Sequence, residues 1–139
     1  MDERLVARIG LGYLAALSLV IGVWATVGPR SFYDDFPGFG RMWIAPDGPY
    51  NEHLVRDVGG LYLAFGALVV AAAIALSRAL VTTAAVAALA TGLPHLAYHA
   101  ANTDVLDTAD TAVSLVGLGG AVAFPILLLW LAPRVGTGR

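Results

Sequence analysis

The sequence predicts an all-α fold, an integral membrane bundle of four helices with almost no soluble domain. Three observations carry this expectation. Of the 139 residues, 58% are hydrophobic and only 13% are charged, where a soluble domain of this size carries about 25% charge. The apolar residues fall into four blocks of roughly 20, the length at which a helix crosses the hydrocarbon layer. The charged residues lie between those blocks. A barrel is excluded because it needs many alternating segments of about ten residues, whereas a helix satisfies its own backbone in lipid. Four spans leave no room for a second domain, so residues 1–139 are expected to form one transmembrane domain.

The first block, about residues 9–28, holds no charge. Asp2, Glu3, Arg4 and Arg8 precede it, and Pro29-Arg30 ends it. It is longer than the apolar core of a signal peptide, about 7–15 residues, and Trp24-Ala25-Thr26-Val27 is a poor cleavage site. An uncleaved span is therefore expected. The second block, about 58–76, is closed by Arg78, and Asn51 is placed to cap an extension of it through its side-chain oxygen. The third block, about 79–101, follows a tight turn at Ser77-Arg78. The fourth, about 107–132, follows a short acidic joint. Pro94 and Pro125 fall inside blocks three and four and are expected to kink them. Gly12/Ala16, Gly60/Ala64, Ala84/Ala88/Gly92 and Gly117/Ala121 are small residues at four-residue spacing, which favours close helix packing.

Residues 29–51 form the longest connection and carry Phe32, Tyr33, Phe36, Phe39, Trp43 and Tyr50 between glycines and prolines. Such aromatic density suits either an anchor in the head-group region or a lid, since long connections in compact domains often serve as lids. The net charge of −2 gives nucleic acid no electrostatic footprint. Cysteine is absent, which excludes disulfides, thiolate metal ligands and a cysteine nucleophile.

Orientation follows from arginine, the only basic residue besides histidine. With four spans both termini share a side. That side and the Ser77-Arg78 turn carry Arg4, Arg8, Arg78, Arg134 and Arg139, against Arg30, Arg41 and Arg56 on the other. The excess predicts cytoplasmic termini in a multi-pass protein of the cytoplasmic membrane.

Polar chemistry collects on the side away from the termini. His53 and Asp57 are four apart, hence on one helical face, with Arg56 beside them. His95 and His99 repeat that spacing, with Thr91 one turn deeper. Asp104, Asp107, Thr111 and Ser114 form one stripe along the fourth helix. The expectation is an inward-facing cluster of His53, Asp57, His95, His99 and Asp107. His95 is its strongest member, because it lies deepest in an apolar segment and needs a partner there. Two histidines at this spacing can hold a metal ion. Leu96 stands where a zinc protease of the H-E-x-x-H type would carry glutamate. A His–Asp pair can move protons or orient a quinone-like ring, and Arg56 can hold an anionic head group. The plain alternative is that these are solvated residues at helix ends. Asp34, Asp35, Asp47 and Asp110 are expected to be solvated.

Arg8-Ile9-Gly10-Leu11-Gly12, the span after it, Gly28-Pro29-Arg30-Ser31-Phe32, and the glycine-bearing segment from Gly59 to Gly66 together resemble DoxX-like four-helix membrane proteins. The resemblance covers the four-span layout and the first half of the chain. It implies an accessory or interaction subunit, associated with redox or quinone chemistry, and supplies no catalytic residues. Beside it stands a membrane enzyme or binding protein for a lipid-soluble, quinone- or lipid-like substrate, using the His/Asp cluster, with a metal or a quinone as the cofactor to consider. The expected partners are the bilayer, a second copy, or a membrane complex.

The arginine excess makes a direct prediction. In intact cells, an impermeant reagent should label a cysteine introduced at Asp47 and not one introduced at Ser77. The opposite pattern would place the histidines on the cytoplasmic side.

Overall fold

Each long helix starts where a side chain caps it. The Asp2 carboxylate accepts the backbone N–H of Arg4 at 2.9 Å, and the Asn51 side chain accepts that of Leu54 at 3.1 Å. The Ser77 hydroxyl accepts that of Leu80 at 3.3 Å, and Asp107 accepts that of Asp110 at 2.8 Å. Each of these bonds satisfies one of the N–H groups that a helix start leaves without a partner. In a computed structural model, which describes residues 2–135, the resulting helices are α1 (Glu3–Val27), α2 (Pro29–Asp35), α3 (Glu52–Ala75), α4 (Arg78–Ala101) and α5 (Thr108–Val135). Arg139, counted above for orientation, lies outside the described residues. All but α2 are long and apolar enough to cross a membrane. They exceed the apolar blocks mainly at their charged ends, where Glu3–Arg8 and Glu52–Asp57 continue the helix beyond the apolar stretch.

The connection between α1 and α3 is ordered rather than a plain loop. After α2 comes a tight antiparallel hairpin of β1 (Pro37–Gly38) and β2 (Arg41–Met42), then a single 3₁₀ turn at Ala45–Asp47. Gly38, Phe39 and Gly40 take φ of 98°, 59° and 76° at the hairpin tip, the left-handed region that glycine enters freely. The turn between α3 and α4 is shorter still. Leu76 ends α3 in the left-handed conformation, φ 44°, and its side chain is 2% exposed. Burying a leucine contributes about 1.5–3 kcal/mol, which offsets the roughly 1–2 kcal/mol that this conformation costs a residue with a Cβ.

α1 packs chiefly along α3, and α4 chiefly along α5; α3 with α4 and α1 with α5 touch less. The α1–α3 contact is backbone on backbone. A Cβ on Gly22 would stand 2.9 Å from the Leu63 nitrogen, and one on Gly59 would stand 2.8 Å from the Thr26 nitrogen. A Cβ on Gly66 would lie 2.9 Å from the Leu19 side chain. The expected packing residues are therefore partly corrected. Gly12, Gly60 and Gly117 face open space, because four-residue spacing sets a face without saying which face meets a neighbour. Ala84 and Ala88 are buried, and Gly92 meets Val122 and Ala121 of α5. α4 and α5 run on through Pro94 and Pro125 as single helices. Pro125 has no N–H to give the Ala121 carbonyl, and that oxygen faces Gly92, 3.6 Å from where a Cβ would be.

The core divides unevenly. The main cluster takes Leu11 and Leu14 from α1, Val69 and Leu76 from α3, Val81 and Ala84 from α4, and Leu128 and Leu131 from α5. Each helix contributes only its half nearest the termini and the Ser77 turn. A second cluster joins Ile21, Ala25, Phe32 and Val55, with Trp24, Phe36 and Tyr62 against it. It belongs to α1, α2, α3 and the connection between α2 and α3, which adds Ile44 and Tyr50. The far halves of α4 and α5 enter neither cluster.

Adjacent glycines should therefore respond oppositely to alanine. Gly59→Ala forces backbones apart and should destabilise the protein by about 1–3 kcal/mol. Gly60→Ala should be neutral or stabilising by roughly 0.5–1 kcal/mol through helix propensity. Unfolding of both variants in mixed micelles checks this; equal losses would refute the close α1–α3 approach.

Candidate functional site

The connection from Pro29 to Tyr50 acts as a strap whose root is fixed and whose far limb crosses the bundle end. At the root, a run of rings steps from α1 outward. Trp24 lies 5.7 Å from Phe32, Phe32 5.1 Å from Phe36, and Phe36 6.1 Å from Trp43 between centroids. Arg30 pairs with Asp34 at 2.6 Å and lies over the Tyr50 ring at 4.9 Å. Asp34 holds the Arg30 guanidinium above its ordinary pKa. Desolvation first, and then Glu52, push the Tyr50 phenol up. Neither group changes charge near neutral pH, so the root is electrostatically constant. The Tyr33 hydroxyl donates to the carbonyls of Ala45, at 3.2 Å, and Gly48, which folds the far limb back on itself.

Two side-chain contacts fasten the far limb to the other helix pair. Tyr98, near the end of α4, donates its hydroxyl to Asp47 Oδ1 at 2.8 Å. Arg41, on β2, forms an ion pair with Asp110 in the first turn of α5. The Asp110 side chain is 12% exposed and that of Arg41 43%. The expectation that Asp110 is solvated is thus corrected: the strap covers it, and the hairpin brings it a cation. Asp47 is exposed, as are Asp35 and the half-exposed Asp34 at the root. Beside the Arg41–Asp110 pair opens a cleft of about 460 Å³, lined by Phe39, Arg41, Met42 and Pro46 of the strap and by Val105, Leu106, Asp107 and Asp110 of the α4–α5 joint and α5.

The polar residues singled out from the sequence form separate groups. His53 Nε2 lies 3.2 Å from Asp57, but on the outer face of α3, with side chains 87% and 58% exposed. Arg56 binds Glu52 at 2.9 Å and donates to the Thr26 carbonyl at the end of α1, so it caps a neighbouring helix where a cation suits the dipole. On α4, His95 Nε2 and His99 Nε2 are 3.0 Å apart, which requires one ring to donate and the other to accept. His99 also meets the Tyr98 ring edge-on at 5.4 Å. Asp107 lines the cleft and caps α5. Asp104 is exposed in the joint. Thr91 bonds to its own helix, through the carbonyls of Ala87 and Ala88.

Among the described residues, no hydrogen bond or ion pair links His53 or Asp57 to His95, His99 or Asp107. The single inward cluster is replaced by three local groups. The reason is the division of the core: α3 meets α4 through its half near the Ser77 turn, so the first turns of α3 and the last turns of α4 are not drawn together. Among the described residues no three His, Asp or Glu side chains converge as a metal site. His95 and His99 offer two nitrogens where zinc is held by three or four protein ligands. Arg41 is the participant that sequence reasoning missed. Its only local signal is the Pro37-Gly38-Phe39-Gly40 turn before it, whose glycines mark a tight reversal.

Compared with family models, with curated proteins and with solved structures, the chain matches none.

The fastening at Tyr98 can be tested by itself. Tyr98→Phe removes one hydroxyl bond, worth about 0.5–1.5 kcal/mol. Amide hydrogen exchange should quicken severalfold in residues 41–47 and stay unchanged in α1. Unchanged exchange in the strap would show that the bond does not hold it.

Proposed function

We propose that this protein spans the cytoplasmic membrane four times with both termini inside, in the manner of DoxX-like proteins, and that it binds a lipid-soluble ligand in the cleft beneath the strap. The length and apolar character of α1, α3, α4 and α5 support the spans, and the arginine excess supports the orientation. The cleft carries the binding reading. There the strap and the α4–α5 joint meet at an ionic pair whose carboxylate is covered, and the cleft volume of about 460 Å³ falls within the range of small-molecule sites, roughly 300–1,000 Å³. Its lining is chiefly polar, and Arg41, Asp107 and Asp110 supply charged groups that fix the orientation of a head group, while Phe39, Met42, Val105 and Leu106 offer contact to the apolar body of a quinone- or lipid-like molecule. The paired histidines lie outside this lining, so the reading is of a binding protein rather than of a His/Asp catalyst.

A second reading, an accessory subunit of a redox assembly, draws on the far halves of α4 and α5. They enter no buried cluster and turn Leu93, Val113 and Val116 outward, as a helix pair does that meets lipid or another membrane subunit.

Photolabelling in nanodiscs tests the binding reading. A diazirine-bearing quinone analogue should label residues 39–46 and 105–110, and excess decylubiquinone or extracted native lipid should suppress that labelling. Labelling spread along the outward face of α1, or not suppressed by either competitor, would overturn it.

A further inference from the structure

Resting on the binding reading above, we infer that the head group recognised in the cleft is a cation, and that Arg41 is an internal stand-in for it at Asp110. The two partners of the Arg41–Asp110 pair are not equivalent. Asp110 is held by a helix, and the whole residue is 9% exposed. Arg41 sits on a two-residue strand beside a glycine-flanked tip, with 43% of its side chain in the open. A ligand that took Arg41 away with an anionic head group would leave Asp110 buried and uncompensated, which is strongly unfavourable. A ligand that brought its own positive charge to Asp110 would release Arg41 into water, where its long flexible side chain is already half placed. Exchange of one cation for another keeps the buried carboxylate paired throughout.

The remaining lining agrees. Asp107 is a second carboxylate in the same cleft. The start of α5 contributes a positive dipole of about half a charge, which does not cancel two carboxylates against one guanidinium. Phe39 stands fully exposed at the hairpin tip, and Met42 is 57% exposed beside it. An aromatic face and a polarisable thioether are favourable neighbours for an organic cation and its apolar body. The ligand class is an amphipathic organic cation, such as an alkyl- or aryl-substituted ammonium or phosphonium. Its arrival unfastens the strap from α5 by replacing the guanidinium, while Tyr98 keeps the strap tied to α4.

Binding of tetraphenylphosphonium, decylubiquinone and dodecanoate to the full chain in nanodiscs separates the possibilities. Tetraphenylphosphonium should bind saturably. Arg41→Met should tighten it roughly tenfold or more, since a competitor that occupies a site nine-tenths of the time weakens apparent affinity by that factor. Asp110→Asn should abolish it. If Asp110→Asn does not fold, Asp107→Asn serves in its place and should weaken tetraphenylphosphonium severalfold. Weaker cation binding in Arg41→Met, or unaltered binding in both carboxamide variants, would overturn the inference. Saturable binding of decylubiquinone or dodecanoate alone would also overturn it while leaving the binding reading intact. Failure of all three probes to bind would overturn both.

Discussion

The contact on which the rest of the structure depends is the close approach of α1 to α3. At Gly22 and Gly59 one helix reaches the backbone of the other without an intervening side chain, and at Gly66 it reaches Leu19. Helices this apolar gain little from side-chain burial if lipid surrounds them, and packing at short range then holds them together. This pair is the fixed wall of the molecule. α2 and the aromatic run from Trp24 to Trp43 are rooted in it, and Arg56 closes it by capping the end of α1. The terminal end is closed in the same manner, since Arg4 donates to the Val135 carbonyl of α5 at 2.9 Å.

The second helix pair is joined to this wall at one end only. Leu11, Val69, Val81 and Leu128 meet in the main cluster, while the far halves of α4 and α5 depend on the strap for their connection. That explains why the site lies where it does. A cleft survives only where no side chains from the opposing helices fill it, and the bundle leaves that space at its strap end. The polar residues near it follow the same logic. A carboxylate such as Asp110 is tolerated in a covered position because the hairpin delivers a guanidinium to it, and removing that guanidinium would leave a buried charge.

Much of the helical layout was legible because it is local. Apolar block length predicts four helices that the structure lengthens at their charged ends, Asn51 announces its capping role, and the Ser77 turn is marked by its arginine. The polar pairs His53–Asp57 and His95–His99 were legible for the same reason, since i,i+4 spacing fixes contact within one helix. Relations between elements were not. Gly59 and Gly60 are neighbours in sequence, and only packing distinguishes the one against Thr26 from the one facing open space. The rotation of α3 about its axis sent His53 and Asp57 outward, which periodicity alone cannot fix. Asp110 reads as a helix-start carboxylate like Asp107, and its burial depends on Arg41, far away along the chain in a hairpin whose path the sequence does not specify.

A bundle clasped at one end and free at the other is a lever. The long helices rise about 1.5 Å per residue, so the strap end lies roughly 20 Å from the centre of the clasp. A tilt of about 10° between the two pairs then moves their far ends apart by about 3 Å, while every helix keeps its own backbone bonds. Hinge motion of this kind moves packed helices as units without unfolding them. The strap, rooted in one arm and tied to the other by Asp47 and Arg41, sets how far the arms can part. Any force that acts on those same arms has its greatest leverage where the strap is.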